Sequence, residues 1–238
     1  MLANPQVVLV AILIEILYNA YLTFVTGKLM ESNKNNGTPS TRDYILEQAI
    51  PMFAAKGYNG VSMRNLSKAV GLSAATLYHH FKDKNTLYLE MVKHVFSDKA
   101  ASIIGSINPN DTALNRLEQF INEFTQLLDS DPDFRSLVLW ELLNDDENRL
   151  QVVAEEVVLA PFTVMDDLLE ELAPGEDHYM LLMSIIWSLM SHFETAPMCR
   201  YLPGWKTKYS EPKTVARHLM QLITRSLKLN YQETNSLN

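Results

Sequence analysis

From residue 37 onward the apolar residues recur at separations of three and four, the period of a helix face, and no stretch alternates long enough to be a strand. The clearest run is Leu114, Leu117, Phe120, Ile121, Phe124, Leu127 and Leu128, a helix ending near Ser130. Before it, Ile45, Ala49, Met52 and Phe53 mark a buried stripe on a helix over 42–56, with Thr41 as its expected N-cap and Gly57 as its stop. Pro51 lies inside that helix, where a missing N–H and a crowded carbonyl at Glu47 predict a kink or a shift. Helix starts and stops punctuate the rest: Asn108-Pro109-Asn110-Asp111 with Asp111 as N-cap, and Asp131-Pro132 with proline at the first helical position. A long helix to Leu172 follows Asp145-Asp146-Glu147 and should kink at or before Pro161. Residues 177–194 are apolar almost all round and should be buried on several sides, 196–210 read as an aromatic-rich loop, and 213–229 as the last helix. The fold class is all-α.

One stretch, residues 62–84, has a tighter grammar. Met63, Leu66 and Val70 share a helix face, Gly71 can take the left-handed conformation that ends a helix, and Ser73 is an N-cap for the next short helix. A helix, a three-residue turn containing glycine and a second helix make a helix-turn-helix. Its second helix is short and polar on one face, with Ser73, Thr76, Tyr78 and His79 as groups able to reach phosphates and base edges.

The string Thr76-Leu77-Tyr78-His79-His80-Phe81, then Lys82-Asp83-Lys84 and an amphipathic helix, resembles the DNA-binding domain of TetR-type (tetracycline-repressor-like, TetR/AcrR) regulators. Upstream, Phe53-Ala54-Ala55-Lys56-Gly57-Tyr58 and Val61-Ser62-Met63-Arg64 agree with it, so the resemblance spans about 41–96. It implies a three-helix helix-turn-helix domain over 37–96 and a helical ligand-binding and dimerisation domain over 97–231, followed by a tail, 232–238. It also implies roles: Thr41, Arg42, Ser62 and Arg64 facing the DNA backbone; Ser73, Ala74, Ala75 and Thr76 opening the recognition helix; Tyr78, His79 and Lys84 holding phosphates. Small side chains at 74 and 75 permit close approach to bases and thymine methyls. His80, beside Phe81, reads as a packed residue. Adjacent histidines on a helix diverge by about 100° and cannot readily share a metal ion.

Charge sharpens this picture. The chain carries a formal net charge of −8, an odd figure for a partner of DNA. Over 37–96, however, seven cations face four anions, whereas the segment after Phe96 holds 11 cations and 22 anions. A basic module is joined to an acidic one, and only the basic end is drawn to phosphate. The single cysteine, Cys199, excludes an intramolecular disulfide and Cys-rich zinc sites and fits a cytoplasmic protein. No GxSxG elbow, P-loop, HExxH or Glu-x-x-His pair is present, so no enzyme chemistry and no cofactor is expected.

Residues 1–36 form an N-terminal extension. Residues 7–25 are largely apolar but interrupted by Glu15 and Asn19, and no basic residue precedes them. Three readings stand: an extra helix packed on the protein, a start of the native chain at Met30, and a membrane anchor. The last would make the protein a membrane-tethered regulator or a membrane-associated helical interaction protein.

In the second half, helices at 177–194 and 213–229 have more apolar surface than one small domain needs. The resemblance implies that they pair with their copies in a homodimer, so that two recognition helices about 34 Å apart read a palindromic double-stranded operator. Phe124, Phe134, Trp140, Phe162, Met165, Met183, Trp187, Met190 and Phe193, with Glu141 and His192 as polar anchors, are the expected lining of a pocket for a small apolar or amphipathic effector. The resemblance further implies a repressor released from DNA by that ligand.

Overall fold

The computed structural model describes residues 40–143 and 146–229. The readings made for 1–36 and for the tail, 232–238, lie outside the described residues. All regular elements among the described residues are helical.

Four helices build the N-terminal head: α1, Thr41–Lys56; α2, Met63–Ala69; α3, Ala74–His80; and α4, Lys84–Ser106. Each start is fixed by a side chain accepting an otherwise unpaired backbone N–H: Ser40 from Asp43, Ser62 from Asn65, Ser73 from Thr76 and Asp83 from Thr86. Ser40, not Thr41, therefore caps α1. Its hydroxyl sits one residue further from the helix, where it can reach the N3 amide. Gly57 and Gly71 both take positive φ, 63° and 70°, and let the chain turn out of α1 and α2. Pro51 does not break α1, which continues to Lys56. Ile45, Ala49, Phe53, Leu66, Leu77, Phe81 and Leu87 close the head's core.

The body holds α5, Ala113–Ser130; α6, Pro132–Leu142; and α7, Glu147–Val153. After α7 come a π-helical turn, Ala154–Val158, then α8, Leu159–Leu172; α9, His178–Cys199; and α10, Pro212–Ser226. The amphipathic α5 lies at its centre, packing on α4, α6, α8, α9 and α10, with Leu117, Ile121, Thr125 and Leu128 sealed from solvent. The buried Thr125 hydroxyl donates to the Ile121 carbonyl one turn back, so no polar atom is stranded there. Thr112, not Asp111, caps α5; Asp111 is occupied with the Thr112 amide and the side chains of Asn115 and Gln119. Asp131 and Pro132 open α6 as the sequence predicts.

Three differences have physical reasons. The disturbance before Pro161 takes the form of the π turn, in which the Leu159 N–H bonds to the carbonyl of Ala154, five residues back. Helix α9 continues through Ala196 and Pro197 to Cys199, because a proline near a helix end removes one bond without stopping the turns around it. Finally, α9 is not buried on several sides: Leu182, Ile185, Leu189 and Phe193 face the core, while Met180 and Trp187 are 58% and 43% exposed. The last helix ends at Ser226.

Candidate nucleic-acid interface and effector region

The short α3 is held to the head by one fully buried side chain, Leu77, which leaves the rest of its surface outward. Ala74, Ala75, Tyr78 and His79 are exposed, and so is the cap residue Ser73. Tyr78 is 53% exposed, too open for a residue serving only to close the core. Ser73 and Thr76 are paired through their hydroxyls at 2.8 Å, and the Thr76 amide donates to Ser73 at 3.0 Å. Thr41, Ser62 and Arg64 are also exposed. Ser62 accepts from the Asn65 amide at 3.2 Å while it caps α2. His80 is half-buried against Phe81, and its carbonyl is an acceptor.

Two residues assigned to phosphate by resemblance are instead engaged inside the head. The Arg42 guanidinium lies 4.5 Å over the Phe81 ring, donates to the His80 carbonyl at 2.6 Å and pairs with Glu90. The Lys84 ammonium donates to the carbonyls of Tyr58 and Val61, at 3.0 and 3.2 Å, and sits 4.0 Å over the Tyr58 ring. Burial, then the nearby Arg149, pulls the Lys84 pKa down from its ordinary value. Both are ties between segments. The N-terminus of α4 is already occupied by Asp83, which accepts from the amide and hydroxyl of Thr86. Lys68 and Lys82, exposed beside α3, were not singled out from the sequence; only their charge could have marked them.

The predicted pocket residues are not brought into one chamber. Phe134 packs on Phe96 and Phe124 on Phe120, with ring centroids 5.1 and 5.8 Å apart. Met165, Met190 and Phe193 belong to the core, and Met183 is packed against it. Phe162 meets Tyr179 at 5.8 Å, and Trp187 faces outward. Trp140 and Glu141 belong to the seam between head and body. The Trp140 indole donates to the Ala54 carbonyl at 2.9 Å, and its ring lies so close to Gly57 that a Cβ there would come within 2.8 Å of it. Glu141, 4% exposed, accepts from the Tyr88 hydroxyl and faces Arg149. Burial raises the pKa of the Glu141 carboxyl, against the lowering effects of Tyr88 and Arg149, and it raises that of the Tyr88 hydroxyl.

A groove of about 590 Å³ does exist, between the C-terminal half of α9, the short 3-10 turn Thr207–Ser210 and α10. Of the eleven predicted lining residues it takes His192 alone, whose ring nitrogen is 2.7 Å from the Tyr209 carbonyl; Trp205, Lys208 and Arg217 add the rest of its character. Its volume lies within the ordinary range for a small-molecule site.

The architecture is that of a two-part helical protein whose head is a helix-turn-helix. Residues 45–91, all within this head, match the model of the family "Bacterial regulatory proteins, tetR family". Over 83 residues it is 34% identical to the biofilm operon icaADBC HTH-type negative transcriptional regulator IcaR of Staphylococcus aureus, which is 35% of this chain and 45% of that protein. The match thus spans less than half the length of such curated relatives. Among solved structures, a bacterial regulatory protein in the tetR family from Rhodococcus RHA1 superposes with a TM-score of 0.64, at 20% identity, covering 82% of this chain and all of that one. The transcriptional regulator FadR from Bacillus subtilis in complex with stearoyl-CoA gives 0.62 at 19% identity, covering 74% and 96%. At these identities the likeness shows the fold.

Proposed function

We propose that the protein is a ligand-responsive transcriptional repressor that binds a palindromic operator as a homodimer and leaves it when a small apolar or amphipathic effector binds the body. The observation that carries this reading is the outward face of α3, where small and hydrogen-bonding side chains are exposed on a helix anchored by Leu77 alone. Thr41, Ser62 and Arg64, with Lys68 and Lys82, are exposed on the same head and supply groups for the DNA backbone. Arg42 and Lys84 act at one remove, fixing the helices that present it.

The pairing surface is the outer face of α9 with α10. Met180, Trp187 and Leu222 are exposed there between Ser184, Ser188 and Ser191, a pattern of large apolar and small residues suited to close helix packing. The relative IcaR is a negative regulator, which favours repression, and FadR holds stearoyl-CoA, which favours an amphipathic effector. Among the described residues no helix is long and apolar enough to cross a membrane.

The test is a gel-shift titration on the DNA upstream of the protein's own gene, at several salt concentrations and with stearoyl-CoA as the first effector probe. Binding should be tighter than to random duplex and should weaken steeply with salt. Equal binding to both duplexes at moderate salt would exclude autoregulation.

A further inference from the structure

At the seam between head and body lies a charged cluster that neither DNA contact nor effector binding uses. Arg149, on α7, is only 3% exposed. Its guanidinium carbon lies 4.2 Å over the Tyr58 ring and 4.9 Å over that of Tyr88, and its Nε is 3.6 Å from Glu141 Oε2. Among the described residues, Arg149 Nε and Nη1 and Glu141 Oε2 have no hydrogen-bond partner. Lys84 shares the Tyr58 ring with Arg149, so two cations crowd one aromatic. A buried ion pair this loosely satisfied adds little stability, and an apolar pair of like volume would often serve as well.

The arrangement has a joint beside it. Five residues beyond Arg149, α7 passes into the π turn, which carries about one residue more per turn than the α-helices on either side. Relaxing that turn to α-helix would rotate α7 against α8 by about 100° and slide it by about 1.5 Å. Both α7 and the π turn pack on α4, and Lys93 of α4 pairs with Glu156 of the turn. On the far side, α8 packs on α5 and α9, inside the body.

We infer that Arg149 is a latch: seated against Tyr58, Tyr88 and Glu141 it fixes the orientation of the helix-turn-helix head, and the π turn at Ala154–Val158 is the register joint through which movement of α8 withdraws it. Its consequence at DNA rests on the function proposed above; the latch itself can be read without DNA or effector. Trp140, hydrogen-bonded to Ala54 across the same seam, is the reporter once Trp187→Phe and Trp205→Phe leave it as the sole tryptophan.

In that background, Arg149→Met should raise acrylamide quenching of Trp140 about twofold, as the open arrangement gains population; deletion of Ala154, which removes the extra residue and leaves α7 and α8 in their present register, should not raise it. Arg149→Lys, which keeps the charge but loses the planar fork, should fall between and serves if the methionine variant does not fold. A Leu219→Ala control in the core of α10, away from α7 and α8, chosen to lower the melting temperature comparably, should leave Trp140 unchanged. Unchanged quenching in the Arg149 variants, or an equal rise in the control, overturns the latch. The Arg149→Met variant should lose roughly tenfold in operator affinity, equivalent to about 1.4 kcal/mol. If the wild type itself ignores its operator, the functional reading falls while the quenching result still decides the latch.

Discussion

The head and the outer face of α9 with α10 treat large apolar residues in opposite ways. In the head, Phe53, Leu66, Leu77, Phe81 and Leu87 are each at most 1% exposed, and what faces outward on α3 is small or polar. On α9 and beyond, Met180, Trp187, Met198 and Tyr201 are between 43% and 81% exposed. A surface of the first kind is finished as a folded unit and awaits a polar partner. A surface of the second kind is unfinished until another apolar surface covers it. On the function proposed above, the two ends divide the work: the head would read DNA, and the far helices would bring two heads together.

The largest effect that would break this contrast comes from charging the unfinished face. Trp187→Asp should weaken the dimer on the order of a hundredfold, since a central aromatic contributes about 2 kcal/mol or more and the new carboxylates would face each other. Sedimentation should show monomer with unchanged helical content; a persistent dimer would move the interface elsewhere. Next in size, Lys84→Ala should destabilise the head by about 1–3 kcal/mol, because its ammonium satisfies two carbonyls in the Tyr58 to Val61 turn. Its loss of DNA affinity should follow its loss of stability in a melting experiment. Tyr78→Ala makes the opposite pairing: about 1 kcal/mol of affinity lost on every sequence, with melting and dimerisation unmoved. If both variants behaved alike, the division between presenting and contacting residues would be wrong.

The smallest effect is a pH dependence at the seam. Burial holds the Glu141 carboxyl above its usual range, so the folded state keeps a proton that the unfolded chain releases near pH 4.3. Stability contributed by this group should therefore fall as pH rises from about 4.3 through the higher folded value. Glu141→Gln should flatten that slope in melting curves recorded across the window; an unchanged slope would assign it to other groups.

How much of this was legible beforehand follows the range of the interactions. Gly71, Ser73 and the Asp131-Pro132 pair act within a few residues of themselves, and the turns and caps they imply are where the sequence places them. The π turn was legible as a disturbance before Pro161 but not as a register shift, since proline marks a lost bond and not how the chain accommodates it. The resemblance places Arg42 facing the DNA backbone and Lys84 on phosphate, because their types and positions match a motif. Long cationic side chains, however, choose partners in three dimensions, and these two found carbonyls and an aromatic ring. The partners of Trp140 and Glu141 were likewise not legible: Ala54 and Tyr88 are 86 and 53 residues away in the chain. No local pattern carries contacts of that separation.

The central claim is that one head is insufficient and that the α9 and α10 face exists to pair two. The direct measurement is the stoichiometry and affinity of wild type and Trp187→Asp on a full palindromic operator and on its half-site, by sedimentation and fluorescence anisotropy. The account predicts two protomers of wild type per full operator, a marked loss on the half-site, and no such preference in Trp187→Asp. Binding of the wild type as a single protomer, equally tight on half-site and full site, would contradict it.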